Sequence, residues 1–242
     1  MKGRRDIINY FINKNQYKSY LEVGLYGASR TFDHINCKFK NSIDPNPACK
    51  AEFEMTSDEF FSKLDNNELS ISPSFKWDIV FLDGDHHYST VDRDIQNSLN
   101  HLSENGTIIM HDCLYGDNTI TRANPRGTNV WKSWVKLRCS RTDLKMYVVN
   151  IDWGVGIIHH GEQNIWNKAP IDECITDEYF TSLVNQDDTD PFASYTIYNN
   201  GQFLLSDSKQ NITGYLYSTH ENLTRTHLLP LIDLNQFYEI YE

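Results

Sequence analysis

The sequence predicts a doubly wound α/β fold: a mostly parallel sheet with helices packed on both faces. Three observations lead there. Short apolar runs alternate with amphipathic stretches between residues 17 and 160, the pattern of strands joined by crossover helices. The apolar runs end in glycine or ionisable residues, as strands do when their carboxyl ends face a ligand cleft. Finally, only Asp152-Trp153-Gly154 separates the last two runs. That link is too short for a crossover, so the pair must be an antiparallel hairpin at the sheet edge.

The elements follow in order. Residues 4–14 place Ile7, Ile8, Phe11 and Ile12 at helical spacing. Tyr20 to Val23 is a short strand running into Gly24-Leu25-Tyr26-Gly27-Ala28-Ser29, and a helix can start between Arg30 and Ile35. Asn41 to Asp44 is a second strand, closed by Pro45 and Pro47, and Ala51 to Met55 a weaker third. Ser57 is placed to cap a helix through Leu64. Trp77 to Leu82 is the clearest strand, followed by a helix from Ser89 to Leu102 and a strand from Thr107 to Met110. After a Gly/Asn/Pro-rich loop at 115–128, Val130 to Leu137 reads as a helix, and 146–151 with 155–159 forms the hairpin.

From about residue 161 the pattern changes. The tail holds a helix candidate at Thr176 to Val184, a hairpin signal at Asn199-Asn200-Gly201 and a Tyr/Leu-rich end at 228–242. The expected division is therefore a main domain at 1–160 with its N-terminal helix, and an irregular C-terminal extension at 161–242. That extension is expected to serve as an acceptor lid or as an oligomer contact.

Composition narrows the partners. Among 242 residues, 22 Lys+Arg stand against 33 Asp+Glu, a net charge of −11. Such a chain repels a phosphate backbone unless basic residues cluster, and the densest group here, Lys2-Arg4-Arg5, is a single helical turn. Nucleic acid is not an expected partner. The five cysteines are widely spaced with no CxxC pair, which fits free thiols in a reducing compartment. No run approaches the ~18 apolar residues of a membrane span, and the N-terminus lacks a secretory pattern. A cytoplasmic protein with no membrane partner is expected.

The strand ends carry the chemistry. The first gives Glu22-x-Gly24-x-x-Gly27, the second Asp44, the fourth Asp83-Gly84-Asp85-His86, and the fifth His111-Asp112. Tyr26 stands where a G-x-G-x-x-G dinucleotide fingerprint needs glycine. Gly24 and Gly27 still allow close backbone approach, Ser29 can cap the next helix, and Asp44 lies where a carboxylate binds both hydroxyls of a ribose. The spacing points to a nucleoside cofactor.

The stretches 20-YLEVGLYGAS-29, 42-SIDP-45, 77-WDIVFLDGDHHY-88 and 106-GTIIMHDC-113, with the terminal hairpin, resemble the class I S-adenosylmethionine-dependent methyltransferases. The resemblance covers roughly residues 17–160. It implies a Rossmann-like sheet of seven strands, the last antiparallel. It also implies a cofactor set of Glu22, Gly24, Tyr26, Gly27, Ser29, Asp44, Ser57 and Asp83. In that set Glu22 and the glycines surround the methionine part, Asp44 holds the ribose, and Ser57 lies beside the adenine.

More narrowly, 81-FLDGDHHY-88 with 111-HDC-113 looks like the metal-dependent sugar O-methyltransferases. That branch implies Asp83 and Asp112 as ligands of Mg²⁺ or Mn²⁺, with His111 as the third candidate ligand and Asp85 or His86 as base. His111 stands where the branch often has a carboxylate, and imidazole is a poor ligand for hard magnesium. The expected function is O-methylation of a sugar or nucleotide-sugar hydroxyl. An oxygenase or hydroxylase on the same fold and a non-catalytic binding module are the alternatives.

Bland roles compete at several positions. Asp85 can cap the helix near Ser89, and Asp92 and Asp94 read as a solvated helix face. His87 reads as exposed, Cys113 as packing, and Trp131 and Trp134 as core.

Overall fold

In a computed structural model of the protein, residues 1–27, 30–113, 130, 133–134, 137, 141–163, 196–197, 203–204 and 231–242 are described. The chain opens with α1 (Arg4–Asn15) and β1 (Ser19–Val23), then β2 (Phe39–Ile43) and α2 (Ser57–Asp65). There follow β3 (Trp77–Leu82), α3 (Tyr88–Asn100), β4 (Leu102–Met110), β5 (Leu144–Val149) and β6 (Val155–His160). The remaining elements are β7 (Thr196–Ile197), β8 (Phe203–Leu204), β9 (Leu231–Ile232) and α4 (Leu234–Tyr241).

The main sheet has seven strands in the order β2-β1-β3-β4-β6-β5-β9. Strands β2, β1, β3 and β4 are parallel, whereas β6 runs antiparallel to both β4 and β5. This is the doubly wound sheet with an antiparallel terminal hairpin that the sequence predicts. The order steps outward from β1 on both sides, so the switch point lies between β1 and β3, and there a parallel sheet opens its ligand crevice.

Period-two alternation along each strand feeds two cores. Leu21, Val23, Val80, Leu82, Ile108 and Met110 face one way, against Phe60, Phe61 and Leu64 of α2, Val91 and Ile95 of α3, and the helical residues Val130, Trp134 and Leu137. Tyr20, Ile79, Phe81 and Ile109 face the other, against Ile7, Ile8, Phe11 and Ile12 of α1 and Phe237 and Tyr241 of α4. Trp134 fits because β6 offers Gly156 beneath it, where a Cβ would meet the indole at 2.7 Å.

Two expectations change. Ala51 to Met55 is no strand but a single parallel bridge from Phe53 to Ile43. The 3-10 turn Pro47–Cys49 redirects the chain, and only Phe53 exchanges backbone hydrogen bonds with the β2 edge. The seventh strand is instead β9, which pairs parallel with β5. The last residues of the tail thus rejoin the sheet, and α4, closed by a capping box between Asp233 and Gln236, seals the face that α1 covers. The second change is at α2, whose cap is Thr56 rather than Ser57: Thr56 Oγ1 accepts from Glu59 N. The hairpin signal at 199–201 falls between the antiparallel pair β7 and β8, while the 176–184 helix and the 115–128 loop lie outside the described residues.

Candidate active site

A cleft of about 510 Å³ opens at the carboxyl ends of β1, β2 and β3. The turn after β1 forms one side of it. Gly24 has φ +87°, and a Cβ there would lie 2.3 Å from the Gly84 Cα. This glycine therefore serves the meeting of two strand ends, β1 and β3, and so draws the cleft walls together. A Cβ at Gly27 would have nothing within 4 Å. Tyr26, held at φ 47°, is 72% exposed at the rim.

Asp44 organises that turn. Its Oδ2 accepts from Leu25 N at 2.9 Å and Tyr26 N at 3.1 Å, and its Oδ1 from Asn46 N at 2.8 Å. Two carboxylate oxygens offer about four acceptor sites, so capacity remains for a ligand hydroxyl. Farther along, Thr56, Ser57 and Asp58 wall the cleft. The lining includes five aspartates, Asp44, Asp58, Asp83, Asp85 and Asp94, and among the described residues no lysine or arginine.

Beside the cleft, where β3 and β4 end, the charges are paired. His86 Nε2 lies 3.3 Å from Asp112 Oδ2 and 3.8 Å from Asp83 Oδ1. His111 Nδ1 is shared between Asp83 Oδ1 and Asp112 Oδ1, 3.2 Å from each. On the far side of the ring, Arg4 Nη1 reaches His111 Nε2 at 3.0 Å and Asp152 Oδ2 at 3.1 Å. Arg4 comes from the first turn of α1, and Asp152 from the β5–β6 turn. That turn holds Asp152, Trp153 and Gly154 in succession at positive φ.

The electrostatics follow from this pairing. Burial raises the Asp83 carboxyl, but His111, His86 and Arg4 outweigh it and hold Asp83 below its ordinary range. Burial lowers His86, and the Asp83 hydrogen bond and the Asp112 charge reverse the sign, leaving it above 6.5. Burial works against a charged His111 too, yet Asp112 and Asp83 push it up to about 10.

The sequence-predicted residues divide accordingly. Gly24, Tyr26, Asp44, Ser57 and Asp83 line the cleft, as does Asp85; Ser29 lies outside the described residues. Glu22 is buried and does not line the cleft. Strand alternation puts it on the same face as Tyr20, whose hydroxyl donates to Glu22 Oε2 at 2.5 Å, and burial pushes its carboxyl up to about 8. His111 is a bridge between carboxylates, with both ring nitrogens engaged, so it has none to offer a metal. The group whose ligand atoms all lie within 4.8 Å of one another is Asp83, His86 and Asp112. Asp85 Oδ1 meets His87 Nδ1 at 2.5 Å. Cys113 is fully buried, as a packing residue should be.

Three residues of this surface escape the sequence reading. Arg4 is hidden in a short basic turn, and Asp152 in a tight hairpin. Asp94 reads as solvated but is 3% exposed. Its signal was legible: Val91, Asp94, Ile95 and Ser98 fall on one helical stripe, and all four are buried.

Residues 16–113 match the family model described as Methyltransferase domain. The match spans less than half of the chain, and over that span the chain is similar to methyltransferase domains. The matched span holds every strand end that lines the cleft, and it closes at Cys113. A 100-residue stretch is 27% identical to the uncharacterized protein y4gI of Sinorhizobium fredii, covering 41% of this chain and 10% of that protein. A Corynebacterium glutamicum protein of known structure shares the fold, with a TM-score of 0.50 and 11% identity over 68% of this chain and 84% of its own. The methyltransferase MycE, solved with Mg, SAH and mycinamycin VI, gives 0.43 and 15% over 65% of this chain; this chain spans about half of its length, 49%. Among the described residues no helix is long and apolar enough to cross a membrane.

Proposed function

We propose that the protein is an S-adenosylmethionine-dependent O-methyltransferase whose acceptor is a sugar or nucleotide-sugar hydroxyl. One observation carries the reading: the methyltransferase-domain span encloses a cleft lined by five aspartates, and a paired histidine, His86, stands beside it. A cleft with only acidic charge suits a cationic sulfonium cofactor. Asp44 holds the ribose hydroxyls with the acceptor capacity left over from the turn.

In the transfer, the acceptor oxygen attacks the methyl carbon, the new C–O bond forms as the S–C bond breaks, and the sulfonium becomes a neutral thioether. The hydroxyl proton goes to His86 at Nδ1, since Nε2 faces Asp112 Oδ2 at 3.3 Å. Asp112 and Asp83 stabilise the imidazolium that results, as carboxylates beside a catalytic histidine do. His86 is a better base than Asp85, because His87 holds the Asp85 carboxyl below its ordinary range in spite of burial, which raises it. Alignment of donor and acceptor in the cleft supplies the remaining large contribution.

Metal assistance is a second reading, favoured by the convergence of Asp83, His86 and Asp112. Two carboxylates and one imidazole fit a divalent ion such as Mn²⁺ better than Mg²⁺. These three residues would hold it, and an ion there would lower the pKa of the acceptor hydroxyl and orient it. The proton would then fall to Asp85. Incubation with labelled S-adenosylmethionine and a panel of nucleotide-sugars, with and without EDTA, tests both readings. Transfer that survives EDTA and fails in His86→Ala supports the base mechanism. Transfer abolished by EDTA and restored by Mn²⁺ supports the metal. No transfer to any sugar overturns the acceptor class.

A further inference from the structure

Arg4 touches the reacting half, yet neither mechanism gives it a task. Both mechanisms need Asp83 and Asp112 to converge on His86, and what joins the two carboxylates is His111 Nδ1, 3.2 Å from each. The torsion that turns an imidazole about its Cβ–Cγ bond is broad and roughly two-fold. Left to itself, the ring has a second orientation, a half-turn away, in which a carbon replaces Nδ1 between the aspartates. The edge that carries the other nitrogen decides between the two. There Nε2 lies 3.0 Å from Arg4 Nη1 and 3.6 Å from Asp152 Oδ1, and a half-turn would set a carbon against both. Arg4 is itself fixed at several points. Its backbone N–H donates to Asp152 Oδ2 at 2.9 Å and its Nη1 to the same oxygen at 3.1 Å, while its Nε donates to the buried Thr31 Oγ1 at 3.2 Å. Gly3 leaves room for this contact, since a Cβ there would lie 2.7 Å from Asp152 Oδ2. The turn that carries Asp152 is tied to the end of β4, where Cys113 N donates to Gly154 O at 3.0 Å. The first turn of α1 and the β5–β6 turn thus close together on one edge of the His111 ring.

We propose that Arg4 and Asp152 are a positioning pair for the transfer: together they hold His111 in the one ring orientation that bridges Asp83 and Asp112, and so keep both carboxylates aimed at His86. The inference rests on the methyl-transfer reading and deepens it by giving the N-terminal helix a part in the reaction. With one oxygen on each, Asp152 offsets the repulsion between the Arg4 guanidinium and a charged His111. The planar guanidinium reaches Thr31, Asp152 and the ring edge at once, which the point charge of a lysine cannot do. Neither Arg4 nor Asp152 lines the cofactor cleft, so the pair acts on turnover rather than on cofactor binding.

Two readouts on the full chain test the pair. The first is the ring N–H proton of His111 in the proton NMR spectrum at one fixed pH, identified by its loss in His111→Gln. Held between two carboxylates, it should exchange slowly with water, and Arg4→Gln and Asp152→Asn should each broaden or remove it. The second is turnover with labelled S-adenosylmethionine and the nucleotide-sugar of the panel that accepts the methyl group. Each variant should lower kcat about tenfold with KM for S-adenosylmethionine unchanged. The double variant should lose no more than either alone, because residues that act as a unit are not additive. Arg4→Lys should recover only part of the loss, and millimolar guanidinium should restore turnover to Arg4→Ala but not to Asp152→Asn. A merely structural pair would lower the melting temperature while the folded protein keeps its kcat and its His111 proton, and that result overturns the inference. Should these variants not fold, Gly3→Ala displaces Asp152 with Arg4 in place and should weaken the same proton signal; an unchanged signal overturns the inference. If no acceptor is methylated, the functional reading falls, and the proton spectrum alone decides whether the pair holds the ring.

Discussion

The two halves of the strand-end surface handle charge in opposite ways. At the ends of β3 and β4, every ionised group faces a counter-charge: His86 and His111 lie against Asp83 and Asp112, and Arg4 against Asp152. In the cleft beside them the pairing is partial: Asp58 meets Arg93 and Asp85 meets His87, whereas Asp44 meets backbone N–H groups and Asp94 leaves an oxygen unpaired. Internal pairing fixes side chains in position and tunes their proton affinity, which chemistry at a hydroxyl requires. Acidic groups such as Asp44 that meet only backbone N–H groups keep attraction for a cationic, donor-rich ligand. On the proposed function, this difference assigns reaction to one half and binding to the other.

The largest expected effect would break the two halves apart. His86→Ala should lower kcat by about 10²–10⁴-fold while leaving S-adenosylhomocysteine affinity unchanged, measured by steady-state kinetics and calorimetry. Asp44→Ala should do the reverse. Removing an acceptor of three backbone N–H groups costs about 1.5–3 kcal/mol, so cofactor affinity should fall about ten- to a hundredfold, with kcat at saturation little altered. Arg4→Gln should lower kcat about tenfold, through the loss of roughly one charge-assisted hydrogen bond to the His111–Asp152 pair, again without touching cofactor affinity.

Most of the binding half was legible in the sequence. The glycine at 24 and the carboxylate at 44 are local signals, close together along the chain, and Asp83 follows directly from a strong apolar run; Gly27, expected beside them, is not among the residues that line the cleft. The reacting half was legible only in part, because its geometry is assembled from distant segments. Arg4 and Asp152 are 148 residues apart and meet at 2.9 Å through the Arg4 N–H, a contact no local pattern encodes. His111 seemed a ligand candidate because a strand end placed it beside Asp112; the fold turned its ring between two carboxylates instead. The mostly parallel sheet and its antiparallel hairpin were recovered, and the departures lie at the sheet edges. Ala51–Met55 has the alternation of a strand, but only one residue pairs, and β9 is too short to announce itself.

Glu22 gives the smallest and subtlest effect, since it belongs to neither half and sits beneath both. Its folded carboxyl titrates at about 8 against an ordinary 4.5, so the folded state holds a proton that the unfolded chain releases. Stability should therefore be fullest below pH 4.5, decline as pH rises to about 8, and level off above. Glu22→Gln should remove that decline, so that its melting temperature exceeds that of the unmodified protein at pH 8 by several degrees but not at pH 5. Thermal unfolding at the two pH values checks this, and a parallel decline in both proteins would place the effect elsewhere.

The central claim is that the acidic cleft binds the adenosyl sulfonium. Calorimetric titration of the full chain with S-adenosylmethionine tests it most directly. The account predicts saturable binding of one equivalent, weakened by Asp44→Ala and preserved in His86→Ala; absence of heat at millimolar cofactor would contradict it.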